Sequence, residues 1–64
     1  MRNEVRGLRQ GLGLTQEELA AQAGVSRQTI ISIEGGRYDP SLELALKLGR
    51  LLGRPVEAIF HLED

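Results

Sequence analysis

The segment Leu14–Gly36 constrains the fold more than any other part of the chain. It reads LTQEELAAQAGVSRQTIISIEGG, with two short helical patterns on either side of the break AGVS. Thr15 and Glu18 have the spacing of a capping box that begins the first of these helices, and Ser26 is a favourable N-cap for the second. Gly24 suits the left-handed conformation that ends a helix. The sequence therefore predicts two helices joined by a tight turn.

The rest of the chain is also patterned for helices. Apolar spacing predicts a helix over 3–10 or 3–12, a longer one from 41 or 42 to 52, and a short last one over 55–60. β-branched residues are sparse and no segment alternates with period two, so no strand is predicted. We expect one all-α domain spanning residues 1–64, a five-helix orthogonal bundle.

The apolar positions of these helices predict the core. The residues expected to face inward are Val5, Leu8, Leu12, Leu19, Ala20, Ala23, Val25, Ile30, Ile33, Leu42, Ala45, Leu48, Leu52, Val56, Ile59 and Phe60. The fourth helix is apolar almost all round, and Leu44 and Leu51 fall outside its inner stripe. They need cover from the last helix or from a second chain. We expect a symmetric homodimer formed by Leu44, Leu51, Phe60 and Leu62, with a self-covered monomer as the alternative.

Composition excludes several kinds of site. The 64 residues contain no cysteine and one histidine, His61, which excludes disulfides and thiolate metal sites and makes a histidine zinc site unexpected. No apolar run is long enough to span a membrane and the N-terminus has no apolar signal region, so we expect a cytoplasmic location. There is no nucleophile–base set and no phosphate-cradling glycine loop. We expect no enzyme activity, cofactor or small-molecule ligand.

Two charged residues fall on apolar helix faces. Arg9 follows Val5 by four residues, and Glu34 follows Ile30 by four. A lone buried charge is very costly, so each of these residues needs a partner. We therefore predict that Arg9 and Glu34 pair and tie the first helix to the third.

The third helix is predicted to have a polar outer face, formed by Arg27, Gln28, Ile31 and Ser32. Arginine binds guanine O6 and N7, glutamine binds adenine N6 and N7, and an exposed isoleucine contacts a thymine methyl group. For Ile31, an isolated apolar residue on the surface is as consistent with the sequence as a contact with DNA. Gln16 lies at a helix N-terminus, which favours a phosphate, and Arg37 is placed for a second phosphate.

The net charge of −1 is low for a nucleic-acid-binding domain. Its distribution is uneven, however. The N-terminal part carries Arg2, Arg6, Arg9, Arg27 and Arg37, whereas the C-terminal third carries Glu43, Glu57, Glu63 and Asp64. Such a polarised molecule presents a positive face despite its low net charge.

Four pieces of the sequence together resemble the lambda-repressor-like, Cro-type helix-turn-helix regulators of the Xre family. They are LTQEELA, GVSRQTI, the stretch IE-x-GR that includes Arg37, and PSL. The resemblance covers nearly the whole chain. It implies that the third helix is the recognition helix, with Arg27, Gln28 and Ser32 facing bases.

The resemblance also implies roles for residues beside the base-reading face. Gln16 would bind a backbone phosphate and buttress Gln28. Thr29 would contact the DNA backbone, or else bond back to its own helical turn. The same resemblance implies the pair between Arg9 and Glu34.

The function expected from these features is sequence-specific binding of double-stranded DNA. We expect a transcriptional regulator, a repressor acting as a homodimer on an inverted repeat, with two recognition helices about 34 Å apart. The alternative is a helix-turn-helix module that binds another protein, such as a toxin partner, with DNA binding secondary or lost. The low net charge keeps this alternative open.

Overall fold

The computed structural model describes residues 1–63, so Asp64, the last residue of the expected domain, lies outside the described residues. Seven elements follow one another along the chain. They are β1 (Arg2–Asn3), α1 (Val5–Gly11), α2 (Gln16–Ala23), α3 (Arg27–Glu34), α4 (Leu42–Leu52), α5 (Val56–Ile59) and β2 (Phe60–His61). The five predicted helices are present in the predicted order.

Local capping fixes the ends of the two central helices. The Thr15 hydroxyl accepts from the Glu18 backbone N–H at 3.0 Å, and the Glu18 carboxylate accepts from the Thr15 N–H at 2.8 Å. Gly24 ends α2 with φ of 75°, a conformation that costs glycine little. Ser26 begins α3 by accepting from the Thr29 N–H at 3.2 Å. The predicted capping box and turn are confirmed.

The core lies where α1, α2, α3, α4 and α5 meet. Its fully buried side chains come from all five helices and are Val5, Leu19, Ile30, Ile33, Leu48 and Ile59. Leu8, Val25, Leu51 and Phe60 pack against this centre while remaining partly exposed. The helix-turn-helix segment is therefore held from both sides by the remaining helices.

A small antiparallel sheet was not predicted. Arg2 pairs with His61, and Asn3 pairs with Phe60. Strands of two residues cannot show an alternating pattern, and these two lie at opposite ends of the chain. Their pairing depends on the tertiary fold, which brings the two ends together.

Asn3 belongs to this sheet and not to the first helix. Its side-chain amide donates to the Ile33 carbonyl at 2.8 Å, and its Oδ1 accepts from the Val5 N–H at 3.1 Å. The N-terminal strand thereby anchors the end of α3.

Three leucines lie elsewhere than predicted. Leu12 is 55 % exposed, because α1 ends at Gly11 and the next residue leaves the inner stripe. Leu42 is 73 % exposed, because the buried stripe of α4 begins at Leu44, and Leu42 shares the outer face with Leu46. Leu44 is buried within its own chain and needs no cover from a second one.

Candidate nucleic-acid interface

The rotation of α3 about its axis is set by two isoleucines. Ile30 and Ile33 are fully buried, so they define the inner face of α3. The residues on the opposite face, at the N-terminal end of the helix, point outward. Arg27 and Gln28 are both exposed, while Ile31 and Ser32 are partly buried. The helix thus presents polar side chains able to donate to and accept from a ligand on the surface.

The outer face of α3 is divided between two shallow clefts. Arg27 lines one of them together with Arg9, Thr15, Gln16 and Glu17 from the preceding elements. The other cleft is lined by Ser26, Gln28, Thr29, Ser32 and Tyr38. Successive helical residues are about 100° apart, which places Arg27 on the side of α2 and Gln28 on the side of the following loop.

Glu34, the last residue of α3, lies at the centre of a buried polar network. Its side chain is 1 % exposed. Arg9 Nε donates to Oε2 at 2.7 Å and Arg9 Nη2 donates to Oε1 at 3.3 Å. Arg9 Nη1 also donates to the Leu14 carbonyl at 2.8 Å. The structure therefore brings Arg9 and Glu34 together and joins α1 to α3 through them.

Gln16 belongs to the same network. Its Nε2 donates to Glu34 Oε1 at 3.1 Å, and among the described residues it forms no hydrogen bond with Gln28. The buried carboxylate is the stronger acceptor and orients the Gln16 amide nitrogen toward itself. The expected buttress to Gln28 stays a prediction. Gln16 remains at the first position of α2, beside the cleft that contains Arg27.

The network determines the charge state of Glu34. Burial favours raising the pKa of its carboxyl group, but hydrogen bonds from Arg9 and Gln16 and the charges of Arg9 and Arg6 outweigh that effect. The pKa of Glu34 is consequently lowered from its ordinary value of 4.5. The residue is a carboxylate at neutral pH.

The remaining predicted site residues differ in how free their side chains are. The Thr29 hydroxyl lies 3.0 Å from the Ser26 hydroxyl and is part of the helix cap. Arg37 is exposed in the loop after α3, where its backbone N–H donates to the Ser32 carbonyl at 3.0 Å. The cap therefore occupies the Thr29 hydroxyl, whereas Arg37 presents an exposed side chain on the surface.

Tyr38, which the sequence pattern did not mark as a site residue, lies in the cleft beside Gln28 and Ser32 and is 47 % exposed. The signal that could have identified it is an aromatic residue in a polar loop directly after a helix with a polar face. Its phenol adds a donor and acceptor to that cleft.

Other kinds of site receive no support from the residues that the structure describes. Within residues 1–63 there is no group of three or more histidine, aspartate or glutamate side chains placed to hold a metal ion. None of the helices there combines the length and apolar character needed to cross a bilayer.

Comparison with known proteins agrees with this geometry. A family model described as helix-turn-helix matches residues 5–59. The chain is 53 % identical over its full length to an uncharacterised HTH-type transcriptional regulator of Methanocaldococcus jannaschii and covers 97 % of that protein. It is 57 % identical to another from Methanothermobacter thermautotrophicus, covering all of this chain and 94 % of that one.

A solved structure shows the same fold. The restriction-modification controller protein C.AhdI from Aeromonas hydrophila superposes with a TM-score of 0.79 and 36 % identity, covering 88 % of this chain and 85 % of that one. The five helices thus form a lambda-repressor-like fold, with the helix-turn-helix at α2 and α3. The chain belongs to the Xre-type helix-turn-helix family of transcriptional regulators.

Proposed function

We propose that this chain is a sequence-specific regulator that binds double-stranded DNA with α3 in the major groove. The observation that carries the proposal is the orientation of α3, which buries Ile30 and Ile33 completely and leaves Arg27 and Gln28 exposed at its N-terminal end. Helix-turn-helix proteins contact base edges with the N-terminal residues of the second helix.

The exposed side chains have the chemistry that base reading needs. Arg27 suits guanine O6 and N7, and Gln28 suits adenine N6 and N7, each through two hydrogen bonds. Because these residues lie in separate clefts, we expect them to read different base pairs. Ser32, which shares the Gln28 cleft, adds a hydroxyl that either donates or accepts. Ile31 is partly buried and is left with a smaller apolar contact to a thymine methyl group.

Backbone phosphates would be bound beside this helix. Gln16, at the first position of α2, and Arg37, after the end of α3, flank the base-reading residues. Such contacts fix the register of a protein on the duplex and carry no sequence information themselves. Thr29 contributes less than expected, because its hydroxyl is engaged in the α3 cap.

We further propose that the chain acts as a homodimer, through an apolar surface on α4, α5 and the C-terminal strand. One groove of this surface is lined by Met1, Pro40, Leu42, Ala45, Val56, Phe60 and Leu62, together with Glu57. Leu42 and Leu62 are 73 % and 84 % exposed, a large apolar exposure for a chain of this size. The proposed interface includes Phe60 and Leu62, as expected from the sequence, and also Leu42. It does not include Leu44, because that side chain is buried in its own chain.

Leu51 is partly buried against the core and contributes at most the outer edge of its side chain to the proposed interface.

A symmetric pair would place two copies of α3 about 34 Å apart, on an inverted repeat. We propose repression as the outcome, because a dimer seated on a promoter blocks access by occupancy alone.

A salt series on a selected duplex tests DNA binding. Arg27→Ala and Gln28→Ala should each cost about 1–3 kcal/mol of specific binding and relax preference at one base pair. Gln16→Ala should lower the affinity for all DNA sequences by the same factor. Arg50→Ala is the charge-matched control, because Arg50 lines a groove formed by α4, its end and α5, away from the helix-turn-helix. Equal losses for Arg50→Ala and Arg27→Ala would argue against the proposed face.

The exposed leucines also favour a second candidate function, a module that binds another protein. Leu42, Leu46 and Leu62 are all more than half exposed, and the net charge is −1. A DNA complex should weaken steeply as salt rises, whereas an apolar protein interface should respond little. This difference in salt response separates the two functions, and Leu42→Asn should disrupt association with a partner or a second copy under either one while leaving α3 unchanged.

A further inference from the structure

Arg6, on α1, lies outside the helix-turn-helix but next to a residue that we assign to phosphate binding. Its side chain is 69 % exposed, and its Nε is 3.7 Å from Glu34 Oε1. The same oxygen accepts a hydrogen bond from Gln16 Nε2 at 3.1 Å. Since both nitrogen atoms contact one oxygen, they are at most about 7 Å apart. One exposed cation and one amide are thus presented side by side.

The charge of Arg6 is available for a ligand, whereas that of Arg9 is not. Arg9 uses its Nε and Nη2 on the Glu34 carboxylate and its Nη1 on the Leu14 carbonyl, and its side chain is 9 % exposed. Arg9 therefore neutralises Glu34. Arg6 also attracts that carboxylate, but at 3.7 Å it lies beyond hydrogen-bond distance and its side chain is 69 % exposed, so its donors stay in water and are open to a ligand.

The spacing of these two side chains suits a single phosphate group. Charge-assisted hydrogen bonds between nitrogen and phosphate oxygen are about 2.8 Å long, so two donors no more than about 7 Å apart can reach two oxygens of one phosphate. Glu34, held in place by Arg9, acts as the positioning residue because its Oε1 faces both donors. Its negative charge is offset by Arg9, and the cluster of Arg6, Arg9 and Glu34 keeps one net positive charge.

We propose that Arg6 binds the same DNA backbone phosphate as Gln16, so that α1 contributes directly to the DNA interface. This inference rests on the proposed function. It extends the interface to an element that the helix-turn-helix segment does not include. The contact is to the backbone, so it strengthens binding to every sequence and leaves base preference unchanged.

The test is the salt dependence of binding by the full chain to a duplex selected from a random pool and to a scrambled duplex. Arg6→Ala should lower the slope of log K against log salt by about 0.9 for each protomer bound, the value for one lost phosphate contact. The affinities for both duplexes should fall by the same factor. Arg6→Lys should restore the slope, because it keeps the charge. Arg50→Ala, an equal change of charge on the α4–α5 side, should leave the slope nearly unchanged.

A double variant tests whether the phosphate is shared. If Arg6 and Gln16 bind one group, Arg6→Ala combined with Gln16→Ala should lose less affinity than the product of the two single losses. An unchanged slope for Arg6→Ala, or a double loss equal to that product, would overturn the inference. The urea midpoint should change little for Arg6→Ala, since the Arg6 side chain is 69 % exposed and lies beyond hydrogen-bond distance of Glu34. Wild-type protein with no salt-dependent binding to any duplex would instead refute the proposed function.

Discussion

Glu34→Gln should destabilise the fold more than removal of the whole ion pair. The substitution leaves the Arg9 guanidinium buried, with its side chain only 9 % exposed, and removes the charge that balances it. Arg9 Nε, Arg9 Nη2 and Gln16 Nε2 all donate to Glu34, and a glutamine offers them one oxygen and one amide. At least one donor must then face another donor.

The expected magnitude is large for a chain of this length. Breaking a buried ion pair by removing one partner costs about 3–5 kcal/mol. A 64-residue domain has a total stability of roughly 3–10 kcal/mol, from typical values per residue. Glu34→Gln should therefore remove about a third or more of the total stability, and it would unfold a protein at the lower end of that range in water at room temperature.

Urea unfolding followed by far-ultraviolet circular dichroism, at a fixed protein concentration, measures this cost. The matched comparison is Arg9→Met with Glu34→Leu, which removes both charges and keeps most of the side-chain volume. Apolar replacement of a whole buried pair is often neutral. The free energy of unfolding of the double variant should therefore be higher than that of Glu34→Gln by about 2 kcal/mol or more. A loss below about 1 kcal/mol for Glu34→Gln, or equal losses for the two variants, would refute this reasoning.

Three further predictions concern local features of the fold. Thr15→Ala should cost about 1 kcal/mol in thermal unfolding, because it removes the hydroxyl that accepts from the Glu18 N–H at 3.0 Å; no shift in midpoint would contradict the role of the cap. Gly49→Ala should cost about 1–3 kcal/mol, since the added Cβ would lie 2.9 Å from the Arg54 carbonyl oxygen, whereas Gly7→Ala, with nothing within 4 Å, should stabilise. The lowered pKa of Glu34 contributes stability that is present above its ordinary value of 4.5 and is lost as pH falls through the folded-state value, so wild-type urea midpoints should fall with acid more steeply than those of the double variant Arg9→Met with Glu34→Leu.

Features with a local cause could be predicted from the sequence. The capping box at Thr15 and Glu18, the N-cap at Ser26 and the left-handed Gly24 each depend on residues within a few positions. The pair of Arg9 and Glu34 was also foreseeable, because each breaks an apolar stripe and needs a partner.

Features that depend on tertiary contact could not be predicted in this way. The pairing of residues 2–3 with 60–61 joins the two ends of the chain, and neither strand has a pattern of its own. The burial of Leu44 instead of Leu42 depends on how α4 is rotated against α2 and α5, which an almost wholly apolar helix leaves undetermined. The proximity of Arg6 to Gln16 likewise arises only when α1 packs against α3.

Base recognition by α3 is tested by selection of bound sites from a random duplex pool, run in parallel with wild-type protein and Gln28→Ala. Wild-type protein should enrich an inverted repeat whose half-site centres are about 34 Å apart. Gln28→Ala should lose preference at one position in each half-site and keep the others. A pool without enrichment, or the same preferences from both proteins, would contradict the assignment of the exposed face of α3 to base recognition.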